Sequence, residues 1–175
     1  MKKIATLLLM ILLCVTTTTP VFAAEKEEED VKTQNATKKN VTVETVMYTN
    51  EEVKLLACLI QAEAGNQSFR GKVAVGNVVL NRVKCKNEFG NNVADVVFER
   101  TNGVYQFSPV QDGRYWSVSI SDKTREAVHR VLCGEDESQG ALYFMARQYA
   151  DADNVVWFDS SLSYLFAYGE HEFFS

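Results

Sequence analysis

Histidine is scarce in this chain of 175 residues: only His129 and His171 occur. A zinc peptidase or amidase recruits several His and carboxylate ligands. No HExxH and no other His-rich cluster is present, which argues against metal chemistry, and no cofactor is expected. Cysteine is nearly as sparse, with four in all and no CxxC, so neither a zinc ribbon nor a thioredoxin-type dithiol is encoded. Cys58 lies in an apolar helical stretch with nothing nearby to lower its thiol pKa, which disfavours a cysteine peptidase. Long hydrophobic runs are missing too. The one apolar stretch, 4–15, falls short of the ~20 residues that a membrane span needs. Internal repeats are absent.

What is present begins with a secretory signal. Lys2 and Lys3 precede that short apolar run, and Pro20-Val21-Phe22-Ala23-Ala24 offers small residues for cleavage after Ala23. Cys14 follows Leu13 rather than the small residue of a lipobox, so lipidation is not expected. Residues 24–46 are rich in Glu, Lys, Asn and Thr and cannot bury enough surface to offset their ordering entropy. They read as a flexible polar linker, leaving one domain over 47–175. Without Lys2 and Lys3, 16 basic side chains face 23 acidic ones, a net charge of −7. So acidic a protein gains no general attraction to nucleic acid or to an anionic membrane, and no stable membrane insertion is expected after cleavage. Of the three remaining cysteines at most one pair, Cys85 with Cys133, is a candidate disulfide.

The domain opens with Thr49-Asn50-Glu51-Glu52, a capping box. Leu56, Leu59, Ile60 and Glu63 come next at helical spacing on one face, and Gly65 is expected to stop the helix as a left-handed cap. A second helix is expected after 66–68, with Phe69, Val73, Gly76, Leu80 and Val83 in register. The Val-rich run does not alternate with polar residues, which favours helix over strand. Beyond it lie a Gly/Asn loop over 84–92, a short helix over 95–99, and an irregular hairpin or loop over 103–118 turning at Asp112-Gly113. Ser121 caps a helix that runs to Cys133 and is closed by Gly134. The aromatic-rich remainder, 141–174, reads as short strands and loops packed on the helices. The class is α+β, with helices and a small irregular β-region.

Glu63 is the first candidate for chemistry. A carboxyl on an inward helix face loses hydration, which favours its neutral form. Cleavage of a glycosidic bond needs such an acid, still protonated near neutral pH and able to donate to the leaving oxygen. The competing reading is an exposed glutamate at a helix end. Tyr105-Gln106-Phe107-Ser108 is the second candidate, with a ring to cover a sugar face and side chains that both donate and accept hydrogen bonds. Its plain alternative is a hairpin with Phe107 in the core and Gln106 solvated. Asp95, Asp112, Asp151 and Asp153 are candidates for a second carboxylate. His129 reads as a surface residue.

Several blocks of sequence sharpen these expectations. The stretch from Leu56 to Gly65 and the block Gly71-Lys72-Val73-Ala74-Val75-Gly76-Asn77-Val78-Val79-Leu80-Asn81-Arg82-Val83 come first. Tyr105-Gln106-Phe107-Ser108, Gly140-Ala141-Leu142-Tyr143-Phe144 and Gly169-Glu170-His171-Glu172-Phe173 succeed them in order. Together they resemble the spore cortex-lytic (SleB-type) cell wall hydrolase family over roughly 52–174. The resemblance implies a lysozyme-like, lytic-transglycosylase-type α+β domain with Glu63 as its catalytic glutamate. It also implies that Gln106, Ser108, Tyr143 and His171 line or support the substrate groove. The signal makes a secreted enzyme the expectation, and a monomer is expected; its expected partner is the peptidoglycan glycan strand, cut at the MurNAc–GlcNAc bond. A lytic transglycosylase is favoured over a muramidase-type hydrolase or an N-acetylmuramoyl-L-alanine amidase, and a non-catalytic peptidoglycan-binding module is the alternative of another class. One departure stands out. The family often has Glu-Ala-Arg-Gly-Glu where this chain has Glu63-Ala64-Gly65-Asn66-Gln67, so the arginine and the second acid are missing.

Overall fold

Thr49 starts the folded region through the reciprocal cap expected of it. Its side chain accepts the Glu52 backbone N–H, and the Glu52 carboxylate accepts the Thr49 N–H at 2.9 Å. The computed structural model describes residues 47–85 and 88–175; the signal and linker expected over 1–46 lie outside the described residues. Helix α1, Asn50–Ala64, buries Leu56, Leu59, Ile60 and Ala64. Its end corrects the left-handed cap expected at Gly65, which is right-handed, with φ −55° and ψ −35°. A Cβ built there would stand 2.5 Å from the Gln61 carbonyl oxygen, so a larger residue at 65 needs a local shift of the helix end.

Helix α2, Phe69–Lys84, is capped by Ser68 and is buried on nearly all sides from Gly71 to Arg82. A helix enclosed in this way shows no simple polar–apolar stripe, which explains why its Val-rich sequence mimics a strand. It packs against α1 and against α5, Asp122–Leu132, which begins at the Ser121 cap and runs out to Gly134 with φ 92°. At the crossing of these three helices sits Gly76. A Cβ there would lie 2.8 Å from Ile60 Cδ1 and 2.9 Å from Val131 Cγ2.

The polar residues of α2 organise the irregular segment downstream of α5. Asn77 donates to the Glu135 carbonyl at 2.8 Å and accepts the Glu137 N–H at 3.0 Å. Asn81 donates to Ser138 Oγ at 2.9 Å and to the Ala141 carbonyl at 3.1 Å, and Arg82 Nε donates to the Leu142 carbonyl at 2.7 Å. These bonds satisfy buried backbone groups of the loop. They deliver the chain into strand β3, Tyr143–Met145. Strands β4, Tyr164–Tyr168, and β5, His171–Phe174, complete an antiparallel sheet in the order β3-β5-β4, with Tyr143 opposite Phe174 and Tyr168 opposite His171.

Further expectations need correction. The short helix expected over 95–99 is α3, Val93–Val97; it starts earlier because Asn92 caps it, accepting the Asp95 N–H at 2.9 Å. The hairpin expected over 103–118 lies upstream, as Arg100–Thr101 paired with Val104–Tyr105 about a turn at Asn102 and Gly103, both of positive φ. Asp112-Gly113 is a turn, but between two helical pieces: α4, Ser108–Asp112, and a 3-10 turn, Arg114–Trp116. Pro109 in the first turn of α4 favours helix there. Helix α6, Ala152–Ser161, lies in the region expected to hold only strands and loops. Cys58, Cys85 and Cys133 are all free thiols, so the candidate Cys85–Cys133 bond is not formed.

Replacing Gly76 by Ala adds a methyl where three helices meet. We expect Gly76→Ala to lower stability by ~1–3 kcal/mol through overpacking. Urea unfolding should show a lower midpoint with an unchanged slope. A wild-type midpoint would mean that Ile60 and Val131 give way freely.

Candidate active site

The last turn of α1 carries Glu63 to the wall of a groove of about 1620 Å³. Two constraints place it. The apolar face of α1 fixes its rotation, and a buried lysine fixes its end: Lys72 donates to the carbonyls of Ala64 and of Gly65, the latter at 2.8 Å. The final carbonyls of a helix carry partial negative charge, so an ammonium group is well matched to them. The lysine reaches them from the first turns of α2.

Glu63 is half-buried as a residue, yet its carboxyl is crowded by protein. Burial pushes its pKa up from the usual carboxylate range to about 7. Arg114 opposes the rise, Asp112 supports it, and Arg82 opposes it. Such a group is protonated in a useful fraction of molecules at neutral pH and can still accept a proton afterwards.

All five residues expected at the site line this one groove: Glu63, Gln106, Ser108, Tyr143 and His171. They arrive on different elements. Gln106 and Ser108 flank the buried Phe107, and both are exposed; Gln106 Nε2 donates to Thr101 Oγ1 at 2.7 Å, across the hairpin. The hairpin with Phe107 in the core, the plain alternative, therefore coexists with a groove-lining role. Tyr143 sits edge-on to Phe89, Trp157 and Phe158 at centroid distances of 5.8 to 6.4 Å. His171 is buried beside Phe144, with ring centroids 5.2 Å apart, and its Nδ1 has no partner among the described residues. Burial holds its pKa below the usual histidine value, which favours the neutral ring. His129 is exposed on α5. Among the described residues no group of three or more His, Cys, Asp or Glu side chains is placed to hold a metal.

The groove also contains residues that sequence patterns do not single out. Arg82, only 4% exposed, and Glu99 lie in its wall near Glu63. At the other end Tyr149 and Trp157 are exposed aromatics. A signal for Arg82 exists, since Asn77, Asn81 and Arg82 are polar positions inside an otherwise apolar helix. Gln67, standing where the family often has a second acid, ties the groove rim together. Its Nε2 donates to Glu170 Oε2 at 3.0 Å, and its Oε1 accepts the Glu170 N–H at 3.3 Å.

The aspartates that are candidates for a second carboxylate are otherwise engaged. Asp95 accepts from Asn91 N and Asn92 Nδ2 at the start of α3. Both oxygens of Asp112 accept from Arg114, at 2.9 and 2.8 Å. Asp151 lines the groove but caps α6, with both oxygens accepting from Asn154. Asp153 is exposed in the first turn of α6, outside the groove lining.

Comparison with known proteins settles the lineage. The family described as Cell Wall Hydrolase matches residues 66–174. The chain belongs to this family. The match starts three residues after Glu63, so it covers most of the groove but not the acid itself. Among curated relatives, the spore cortex-lytic enzyme of Bacillus subtilis (strain 168) is 35% identical over 97 residues, 55% of this chain and 30% of the relative. That of Halalkalibacterium halodurans is 31% identical over 115 residues, 66% of this chain and 33% of the relative. The chain thus spans about a third of the length of these relatives. Among solved structures, the catalytic domain of the germination-specific lytic transglycosylase SleB from Bacillus anthracis superimposes with a TM-score of 0.62 at 26% identity, covering 73% of this chain and 97% of that one. The catalytic domain of Bacillus cereus SleB gives 0.60 at 25% identity, over 74% and 93%. The expected lysozyme-like, lytic-transglycosylase-type α+β fold is therefore the fold of this chain.

The raised pKa of Glu63 carries a stability consequence. A carboxyl with a folded pKa of about 7 against an ordinary 4.5 binds its proton more tightly when folded, so stability falls as pH rises from about 4.5 to about 7 and is level above. Glu63→Gln should remove that fall. We expect its melting temperature to exceed wild type at pH 8 and to match it near pH 4, with a gain at pH 8 of at most about 3 kcal/mol. A gain of the same size at both pH values would show that the carboxyl is not held neutral by its surroundings.

Proposed function

We propose that this cell wall hydrolase is a secreted enzyme that cuts the glycan strand of peptidoglycan as a lytic transglycosylase, with Glu63 as its acid and then its base. The observation that carries this reading is a glutamate carboxyl crowded by protein in the wall of a groove of about 1620 Å³, where burial pushes its pKa up to about 7. The neutral acid donates its proton to the glycosidic oxygen between MurNAc and GlcNAc as the C1–O bond breaks. The carboxylate so formed accepts the proton of the C6 hydroxyl on the same sugar, and that oxygen closes onto C1 to give a 1,6-anhydro end. The attacking group is part of the substrate, so proximity replaces a positioned water. The proton returns to Glu63 and no second acid is consumed.

A hydrolase would need another carboxylate to activate water or to attack C1. The four candidate aspartates are bonded elsewhere or lie outside the groove, while Glu88, Glu99 and Glu170 also line it, so the product and not a missing carboxylate distinguishes the two routes. The groove suits a sugar strand in other ways. Exposed Tyr149 and Trp157 offer flat faces for stacking on sugar C–H surfaces, and Gln106 and Ser108 supply adaptable hydrogen bonds. The acidic chain gains nothing from bulk charge, so recognition rests on these local contacts. No helix among the described residues is long and apolar enough to cross a membrane. The SleB name of its structural relatives supports the assignment to the wall, and the Bacillus spore cortex is the first substrate to test.

Purified peptidoglycan digested with the wild-type protein should release anhydro-muropeptides by mass spectrometry, and Glu63→Gln should release none while remaining folded. Reducing-end muropeptides would replace the transglycosylase with a hydrolase, and free stem peptides would point to an amidase. Binding to sacculi with no soluble fragments would leave a wall-binding module. Wild-type clearance by Glu63→Gln would remove Glu63 from the chemistry.

A further inference from the structure

The loop between α1 and α2 meets the turn between β4 and β5 at the rim of the groove. Gly65, Asn66 and Gln67 on one side and Glu170 and His171 on the other all line it. The Gln67 amide grips the turn with both of its ends. Nε2 donates to Glu170 Oε2 at 3.0 Å, and Oε1 accepts the Glu170 N–H at 3.3 Å. Asn66 Nδ2 reaches the same Oε2 at 3.5 Å, and Asn66 Oδ1 accepts from Gln67 Nε2 at 3.1 Å. Gly169 lets the turn come this close: its φ is 58°, and a Cβ on it would clash with Gln67 Oε1.

The turn is also fixed from its other side. His171 pairs with Tyr168 across the β4–β5 ladder and is buried beside Phe144. Glu170, itself exposed, is therefore held between an anchored strand and an anchored loop. The hydrogen bonds that its carboxylate forms among the described residues all fall on Oε2, which leaves Oε1 free at the groove. A glutamate at 67 would set a like charge against Oε2, whereas glutamine supplies the donor. A carboxylate held in this way has already lost much of its rotamer freedom, so a ligand that takes the free oxygen loses less entropy.

We propose that Glu170 is a specificity-determining residue of the groove and Gln67 its positioning residue: the free Oε1 accepts a hydrogen bond from a hydroxyl or amide N–H of the sugar bound at the Glu63 end. This rests on the reading of the groove as a glycan-strand site. A sugar strand is rich in such donors, and a carboxylate is a stronger acceptor than a neutral group. The grip is tied to the acid's own helix, because the Gln67 N–H donates to the carbonyl of Ala64, the residue after Glu63, at 3.0 Å. Glu170 binds and takes no proton in the reaction.

The probe is peptide-free glycan strands, titrated by calorimetry into protein carrying Glu63→Gln so that the strand is not consumed. Glu170→Gln is the informative variant. Its amide oxygen can still accept from Gln67, but the free position then holds an NH2 group, a donor in place of an acceptor. We expect a melting temperature close to that of the parent and a Kd raised about tenfold. Gln67→Ala should raise Kd as well, and that rise should vanish when Glu170→Gln is already present, because the two act as a pair. On purified peptidoglycan, with Glu63 intact, Glu170→Gln should raise KM and leave kcat close to wild type. An unchanged Kd in Glu170→Gln overturns the proposal, and so does an equal rise from Gln67→Ala in both backgrounds. A collapse of kcat at unchanged Kd overturns it too, since Glu170 would then be a catalytic carboxylate. Should Glu170→Gln not fold, Gln67→Ala decides alone, and a parental Kd there overturns the idea. Failure of the parent protein to bind the strands at all would bring down the glycan-strand reading itself, and this inference with it.

Discussion

The capping of α1 by Lys72 holds the site together. A helix ends with carbonyls that lack partners, and those of α1 end beside the groove where water is partly excluded. The Lys72 ammonium meets two of them from inside the fold. Its four-carbon stem crosses between α1 and α2, so the same side chain locks the two helices in register. Glu63 lies one residue before the capped carbonyls, and any fraying there would return its carboxyl to water and lower its pKa. Lys72 thus supports the burial that raises the Glu63 pKa without touching the carboxyl.

The second organising feature is the polar edge of α2. Asn77, Asn81 and Arg82 belong to a helix otherwise closed in by apolar side chains, and each bonds backbone groups between Glu135 and Leu142. Buried polar groups of this kind are costly unless fully satisfied, and once satisfied they specify a single arrangement. Here they decide where β3 enters, and so where Tyr143 stands. Arg82 has a double role, since its Nε holds the strand while the rest of the guanidinium faces the groove.

Much of this is legible in the sequence because it depends on short-range patterns. The Thr49–Glu52 box, the apolar face of α1 ending at Glu63 and the Ser68 and Ser121 caps are all local. The same holds for the motif blocks that bring Gln106, Ser108, Tyr143 and His171 to one groove. The misses have physical reasons. A glycine at position 65 suggests a left-handed cap, whereas the helix simply runs on through it in the right-handed conformation. Asp112-Gly113 has the composition of a hairpin turn but sits between two helical turns. Glu99 lies in an irregular segment with no periodicity, so nothing local marks it as part of the groove wall. Helix α6 is hidden because none of its residues is fully buried, so it has no apolar stripe to find. Its one local sign is the Asp151 cap.

That shallow burial bears on how the groove behaves as a mechanical object. Helix α6 is fastened by Arg147, which bridges Glu172 of the sheet and Asp159 of the helix at 2.9 and 2.7 Å, and by edge contacts such as Phe158 on Phe174. Ion pairs with this degree of exposure contribute little each and weaken with salt. Little core is lost if the helix lifts, so its amides belong to the segments that open locally long before the whole domain unfolds. Glu63 is carried by the buried helical core, whereas Trp157 rides on an element with little buried surface to hold it down.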